Sequence, residues 1–315
     1  MIFNYRVVNV YVIPKENRVH KKHVDESYKV VNQLEHVNKP CKGKYSWPRV
    51  KIDKNDVIPT LFLQGKISKR CGKRNICQVI TKPYKSFYYA LKDRLRQEGI
   101  SVSGGLQLRK IPKEARELFT HYSDPLEEII SETAKESNNL YARHLLLLLG
   151  AKLYGAPATM KKGRDAITYI LDSRGALGKG KLKIDNGSGL SRTSKMNAKL
   201  LAEMLDHAYD RYGSRWMETL SIAGVDGTIK KRFRNTVVKK RAWMKTGTLK
   251  RVKNIGGYVK NRAGKYYTVV IIINSSKAKY RGAKLQDEIM EWLVKSKVKP
   301  GLESSPQRVR QKKFT

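Results

Sequence analysis

Acidic residues are scarce in this chain of 315 residues: 27 Asp and Glu stand against 66 Lys and Arg, a formal charge of +39. Long apolar runs are missing too. No run exceeds the one at Leu145–Leu149, far short of the roughly 18 residues that a membrane span needs. Cysteine is sparse. Cys41, Cys71 and Cys77 are an odd count with no C-x-x-C, and no His–His pair at finger spacing follows them. No zinc site is therefore expected. His20 and His23, set among Lys and Asp, read as a solvated loop pair. The N-terminus, Met-Ile-Phe-Asn-Tyr-Arg, has neither the basic start nor the apolar core of a secretory signal. Taken literally, that composition leaves the chain in the cytoplasm.

Apolar material is ample. Hydrophobic residues make up 40% and aromatics 9%, which excludes a disordered basic tail and allows one or two packed domains. The first 80 residues read as short strands between basic loops. Tyr5–Ile13 is β-branched and aromatic and stops at Pro14, and Tyr28–Leu34 and Thr60–Leu63 follow the same pattern.

From Thr81 the texture turns helical. Pro83 precedes an amphipathic helix over Ser86–Glu98. Ser123 is a candidate N-cap for a helix starting at Leu126. That helix gives way at Ser137-Asn138-Asn139, residue types that bond nearby backbone instead of continuing a helix. A nearly all-apolar helix, Leu140–Leu149, is expected to stop at Gly150, and two more are expected at Lys161–Ser173 and Ser194–Tyr212. The period then changes to two. Thr236–Thr246, Asn254–Lys260 and Tyr266–Asn274 read as strands, the last two joined in a hairpin at 261–264, and Ala283–Lys295 closes the pattern as a helix. Helices first, then a meander, then a closing helix is an α+β order.

Two short motifs carry chemistry. Ser137 and Asn139 stand two positions apart at a helix break, so both can point into one cleft. The hydroxyl can pass a proton towards a leaving amine, and the amide can hold a substrate peptide oxygen. Lys245-Thr246-Gly247 sits where a strand pattern runs on to glycine. Lys245 offers a cation beside the hydroxyl, Thr246 and Thr248 offer bonds to a substrate carboxylate, and Gly247 clears the strand edge for an extended substrate.

The longer stretch Ala223-Gly224-Val225-Asp226-Gly227-Thr228, Lys231-Arg232-Phe233-Arg234, Lys245-Thr246-Gly247-Thr248-Leu249 closely resembles the class C penicillin-binding proteins. These are the serine-type D-alanyl-D-alanine carboxypeptidases and endopeptidases of peptidoglycan. Asp185–Arg192 resembles the family's D-G-S-G-L-S-R segment, with Asn186 inserted, and Ser137-Asn138-Asn139 resembles its S-x-N. The resemblance implies a β-lactamase/transpeptidase-like α+β domain, an antiparallel sheet with a helical lobe. Residues 81–298 would be its C-terminal part, 1–80 the remnant of a β-rich non-catalytic insert, and 299–315 a disordered basic tail. It also implies periplasmic hydrolysis of peptidoglycan stem peptides ending in D-Ala-D-Ala, through an acyl-serine and without metal. Ser137 would be the proton relay, Asn139 the amide clamp, Lys245 the electrostatic partner, and Thr246, Gly247 and Thr248 the substrate-binding edge.

One element of the family pattern is absent. Its nucleophile lies in S-x-x-K upstream of S-x-N, and no serine before Ser137 has Lys three positions on; Ser46, with Arg49, comes nearest. The late matches Ser276…Lys279 and Ser296…Lys299 are at chance frequency in so Lys-rich a chain. The chain alone is therefore expected to be inactive, and β-lactams to bind covalently only when a nucleophile segment is supplied.

The basic excess has a rival meaning. Between Ser221 and Arg281, 17 Lys and Arg accompany one acid, Asp226. Such a surface suits nucleic acid, but equally the carboxylates of peptidoglycan or anionic lipid head groups. No finger, aromatic RNP stripe or recognition helix accompanies the charge.

Overall fold

The computed structural model describes residues 7–23, 26–54, 58–117, 119–177 and 182–296. The expected tail at 299–315 lies outside them. The chain divides into two compact units, Met1–Phe119 and Thr120–Thr315.

The first unit is built on β-branched alternation. In β1 (Val8–Ile13), Val8, Val10 and Val12 point inward and their neighbours do not. Antiparallel partners flank it, β2 (Arg18–Lys21) and β6 (Arg74–Gln78). A second three-stranded sheet has β5 (Thr60–Ser68) between parallel β3 (Lys29–Val37) and antiparallel β4 (Arg49–Asp53). Val10, Val12, Leu61, Leu63, Ile67 and Ile76 pack together as its core. One sequence expectation needs correction here. His20 is not in a loop: it lies on β2 with its ring 5.4 Å from that of Tyr11. Arg-Val-His-Lys is too short a strand to show a period. Beyond what the sequence reading drew from the cysteines, Cys41 and Cys71 form a disulfide across 30 positions. Pro83 opens α1 (Pro83–Gln97), the unit's one long helix among the described residues.

The second unit confirms the α+β expectation. Among the described residues five helices come first: α2 (Leu126–Lys135), α3 (Asn139–Tyr154), α4 (Met160–Ser173), α5 (Ala198–Tyr212) and the short α6 (Ser214–Met217). An antiparallel sheet follows, in the order β10-β9-β8-β7, from β7 (Ser221–Ile222), β8 (Ala242–Leu249), β9 (Val252–Lys260) and β10 (Tyr266–Asn274). The closing helix α7 (Ala283–Lys295) covers one face, setting Met290 and Val294 against Met244, Ile255, Val259 and Val269. On the other face, α5 is tied to the sheet where the Tyr258 hydroxyl donates to the Leu205 carbonyl at 2.6 Å.

Several boundaries differ from expectation for physical reasons. Gly150 does not stop α3. A Cβ there would come within 2.5 Å of the Gly163 nitrogen, so the two glycines let α3 and α4 cross backbone to backbone. The helix ends instead at Gly155, with φ of 74°. Ser123 does not cap α2, whose N-cap position is Pro125. α5 begins after Asn197, which accepts a bond from the Leu200 amide at 2.7 Å, and not at Ser194. Thr236–Arg241 is turn, not strand; Val238 is buried and Lys240 has φ of 60°. β8 therefore starts at Ala242 and carries Lys245–Gly247 in its middle.

Candidate active site

The break between α2 and α3 has a definite construction. The Asn138 amide donates back to the Thr133 carbonyl at 3.1 Å, closing α2 with Ser137 in the left-handed region at φ 55°. Asn138 then caps the next helix, its Oδ1 accepting from the amides of Leu140 and Tyr141 at 3.1 and 3.2 Å. The middle residue of Ser137-Asn138-Asn139 thus turns the chain, which leaves Ser137 and Asn139 to face the cleft. Asn139 is the first residue of α3.

Lys245 reaches this break from β8. Its Nζ donates to Ser137 Oγ at 2.6 Å and to the Thr246 carbonyl at 3.3 Å. The residues are 108 positions apart in sequence. Burial holds the Lys245 pKa below the ordinary lysine value, because a charged ammonium is costly away from water. A hydroxyl with a partly desolvated lysine beside it can accept a proton from one group and pass it to another.

What holds the break in place was not read from the sequence. Lys135, at the end of α2, pairs with Asp226 Oδ2 at 2.7 Å, and Asp226 Oδ1 accepts from the Ile222 amide at 2.7 Å. The Ser221 hydroxyl donates to the Lys135 carbonyl at 3.3 Å. Gly227, at φ 56°, lies so close that a Cβ would stand 2.7 Å from that same carbonyl. Thr228 follows, its hydroxyl 3.0 Å from that of Thr246. The stretch Ala223–Thr228 is therefore a brace between α2 and the β7–β8 edge. The available signal was Asp226, the sole acid among 17 cations.

The remaining expected residues separate. Thr246 and Gly247 line the cleft together with Ser137, Asn139 and Lys245. Thr248 stands further along β8, exposed, and accepts from Lys253 Nζ at 3.1 Å. An alanine at position 247 would meet only Asn254 Cβ, at 3.6 Å, so nothing among the described residues demands glycine there. Ser276 is exposed in the connection after β10, and Ser296 donates to the Leu293 carbonyl at 2.7 Å. Neither lines the cleft.

Behind the polar residues the cleft widens to about 610 Å3 and is mainly apolar. Ile130 and Ala134 come from α2, Leu145 from α3, Leu171 from α4, Leu201, Met204 and Leu205 from α5, and Val270 and Ile272 from β10. Apolar faces of α3 and α5 meet here around open space. Folded interiors rarely leave apolar room of this size.

The sequence matches the family model described as D-Ala-D-Ala carboxypeptidase 3 (S13) over residues 8–296. The chain belongs to this family. It is 33% identical over 187 residues to the D-alanyl-D-alanine carboxypeptidase DacB of Haemophilus influenzae, a match covering 58% of this chain and 39% of that protein. To the D-alanyl-D-alanine carboxypeptidase of Actinomadura sp. it is 28% identical over 222 residues, covering 68% of this chain and 41% of the relative. The matches thus span about two fifths of those relatives' length. The fold agrees with the crystal structure of penicillin binding protein 4 from Haemophilus influenzae. The TM-score is 0.73 at 22% identity, over 94% of this chain and 67% of that one. Among the described residues no cluster of potential metal ligands occurs, and no helix is long and apolar enough to cross a membrane.

Proposed function

We propose that this chain supplies the S-x-N and K-T-G part of a serine acyl-transfer site acting on peptidoglycan peptides that end in D-Ala-D-Ala. The observation that carries the reading is the 2.6 Å bond between Lys245 Nζ and Ser137 Oγ at the polar end of an apolar cleft. Those two groups can relay a proton, but neither is the attacking serine of the family pattern. The cleft beside them is the seat for a helix bearing S-x-x-K. Its apolar side covers Leu145, Leu201 and Met204, and its serine emerges next to Ser137.

In that assembly the incoming serine attacks the penultimate D-Ala carbonyl as its hydroxyl proton passes to the lysine of S-x-x-K. The C–N bond then breaks as Ser137 hands its proton to the departing D-Ala amine and regains one from that lysine. Lys245 favours the form of Ser137 that can accept one. Asn139 holds the substrate amide, and Thr246 and Thr248 bind the terminal carboxylate. Water then releases the acyl group. The assignment of residues 1–80 to a non-catalytic insert and 81–298 to the catalytic domain belongs to this reading. So does a periplasmic location, which the Cys41–Cys71 disulfide supports because such bonds persist in oxidising compartments.

Fluorescent penicillin tests it. The chain alone is expected to form no covalent adduct. Co-expression with an N-terminal fragment of a related enzyme that carries S-x-x-K is expected to restore labelling, and Lys245→Ala or Asn139→Ala to abolish the restored signal. Labelling of the chain alone at Ser276 or Ser296, or restored labelling indifferent to Lys245, would overturn the proposal.

A further inference from the structure

From Gly227 to Gln286 the sequence has no carboxylate. The fold gathers part of that segment's charge at one corner of the second unit. Two turns meet there, the β8–β9 turn with Lys250 and Arg251, and the connection from β10 to α7. The Ser275 amide donates to the Arg251 carbonyl at 2.9 Å, which fixes one turn against the other. Lys277, Lys279 and Arg281 project from the second turn, whose buried residues Ala278 and Gly282 anchor its backbone. All five cations are exposed, and none is in an ion pair among the described residues. Tyr280 stands in their midst, 78% exposed, with Lys279 Nζ 5.4 Å from its ring centroid.

We propose that this corner is a docking surface for an anionic lipid bilayer. The cations lie on two braced turns instead of lining a groove, so they suit a plane of phosphates. An exposed tyrosine among cations matches the headgroup region, where an aromatic ring can sit with its apolar body inward and its hydroxyl in water. Nucleic acid demands similar charge, but a disulfide-bonded chain belongs to compartments where nucleic acid is not the resident polyanion. Docking here would orient the cleft as well. Lys250, in the turn that ends β8, is five residues beyond Lys245, at most roughly 16 Å away at strand rise, so the K-T-G edge would lie close above the headgroups.

The whole chain is basic, so the test has to separate this corner from total charge. Sedimentation with phosphatidylcholine vesicles containing phosphatidylglycerol compares the wild-type chain with two variants of equal charge. One is Lys250→Gln/Arg251→Gln/Lys279→Gln; the other is Lys29→Gln/Lys42→Gln/Lys51→Gln, at exposed positions of the first unit. Each bound cation contributes roughly fivefold in affinity, so the corner variant is expected to lose about a hundredfold and the control a few-fold at most. Tyr280→Ser is expected to weaken binding with no change in charge. Should the triple variant fail to fold, Arg251→Gln and Lys279→Gln singly are each expected to lose roughly fivefold. Equal losses in the corner and control variants would overturn the proposal. So would binding to an oligonucleotide that depends on the corner while vesicle binding does not.

Discussion

Asp226 holds the Lys135 ammonium at 2.7 Å, and through it the end of the helix that delivers Ser137 to Lys245. The carboxylate's other oxygen is engaged by the Ile222 amide, so one side chain joins α2 to the β7–β8 edge. Both members of the pair are largely covered, with side-chain exposures of 22% and 32%.

That geometry predicts coupled losses. Asp226→Asn keeps the volume but removes the charge, and is expected to cost about 1–3 kcal/mol in urea unfolding. Lys135→Met is expected to cost a similar amount, and the double variant less than their sum. Strictly additive losses would show that the brace is not a unit.

Ser137 offers a backbone test. An L-residue in the left-handed region costs about 1–2 kcal/mol, and glycine nearly none. Ser137→Ala and Ser137→Gly both remove the hydroxyl that Lys245 contacts, so their difference isolates the backbone. Ser137→Gly is expected to be the more stable by about 1 kcal/mol, read from paired denaturation curves. Equal stability would mean that the residue is not held at φ 55° in solution.

Lys245 gives a pH dependence. Its pKa in the fold lies below the usual lysine value because of burial, so between the folded and unfolded pKa values the unfolded chain binds more protons. Stability from this group therefore rises with pH across that window, and the burial cost is fully present below it. Lys245→Met is expected to melt higher relative to wild type near neutral pH, with the gap narrowing as pH climbs towards 10.5. A gap that widens instead would contradict the assigned direction.

The sequence made the site legible where chemistry and local structure coincide. Ser137 and Asn139 mark a helix break by their residue types, and Lys245 marks a strand by its alternating neighbours, so the pair could be named while 108 positions apart. The brace was hidden because Asp226 acts through a lysine on another element, which no periodicity reports. Gly150 misled for a related reason. Its missing side chain serves contact with Gly163 across two helices, a tertiary fact that local propensity reads as a stop. The 236–246 strand began six residues early because Val237 and Val238 are β-branched but belong to a turn packed under the sheet.

The apolar cleft yields the last prediction, which links stability to assembly. Ala208 lines the cleft, so Ala208→Leu adds apolar volume where there is room. By about 25 cal/mol per Å2 of buried apolar area, a leucine that covers part of the wall is expected to stabilise the isolated chain by about 1 kcal/mol. Ala166 is a control, fully buried on α4. Overpacking at Ala166→Leu is expected to cost about 1–3 kcal/mol. Under the proposed assembly the same Ala208→Leu variant would fill space meant for the S-x-x-K helix, so it is expected to reduce penicillin labelling in the co-expression assay while raising the melting temperature. A stabilised variant that still labels fully would place the incoming helix elsewhere. A variant destabilised as much as Ala166→Leu would mean that the cleft is closed in solution.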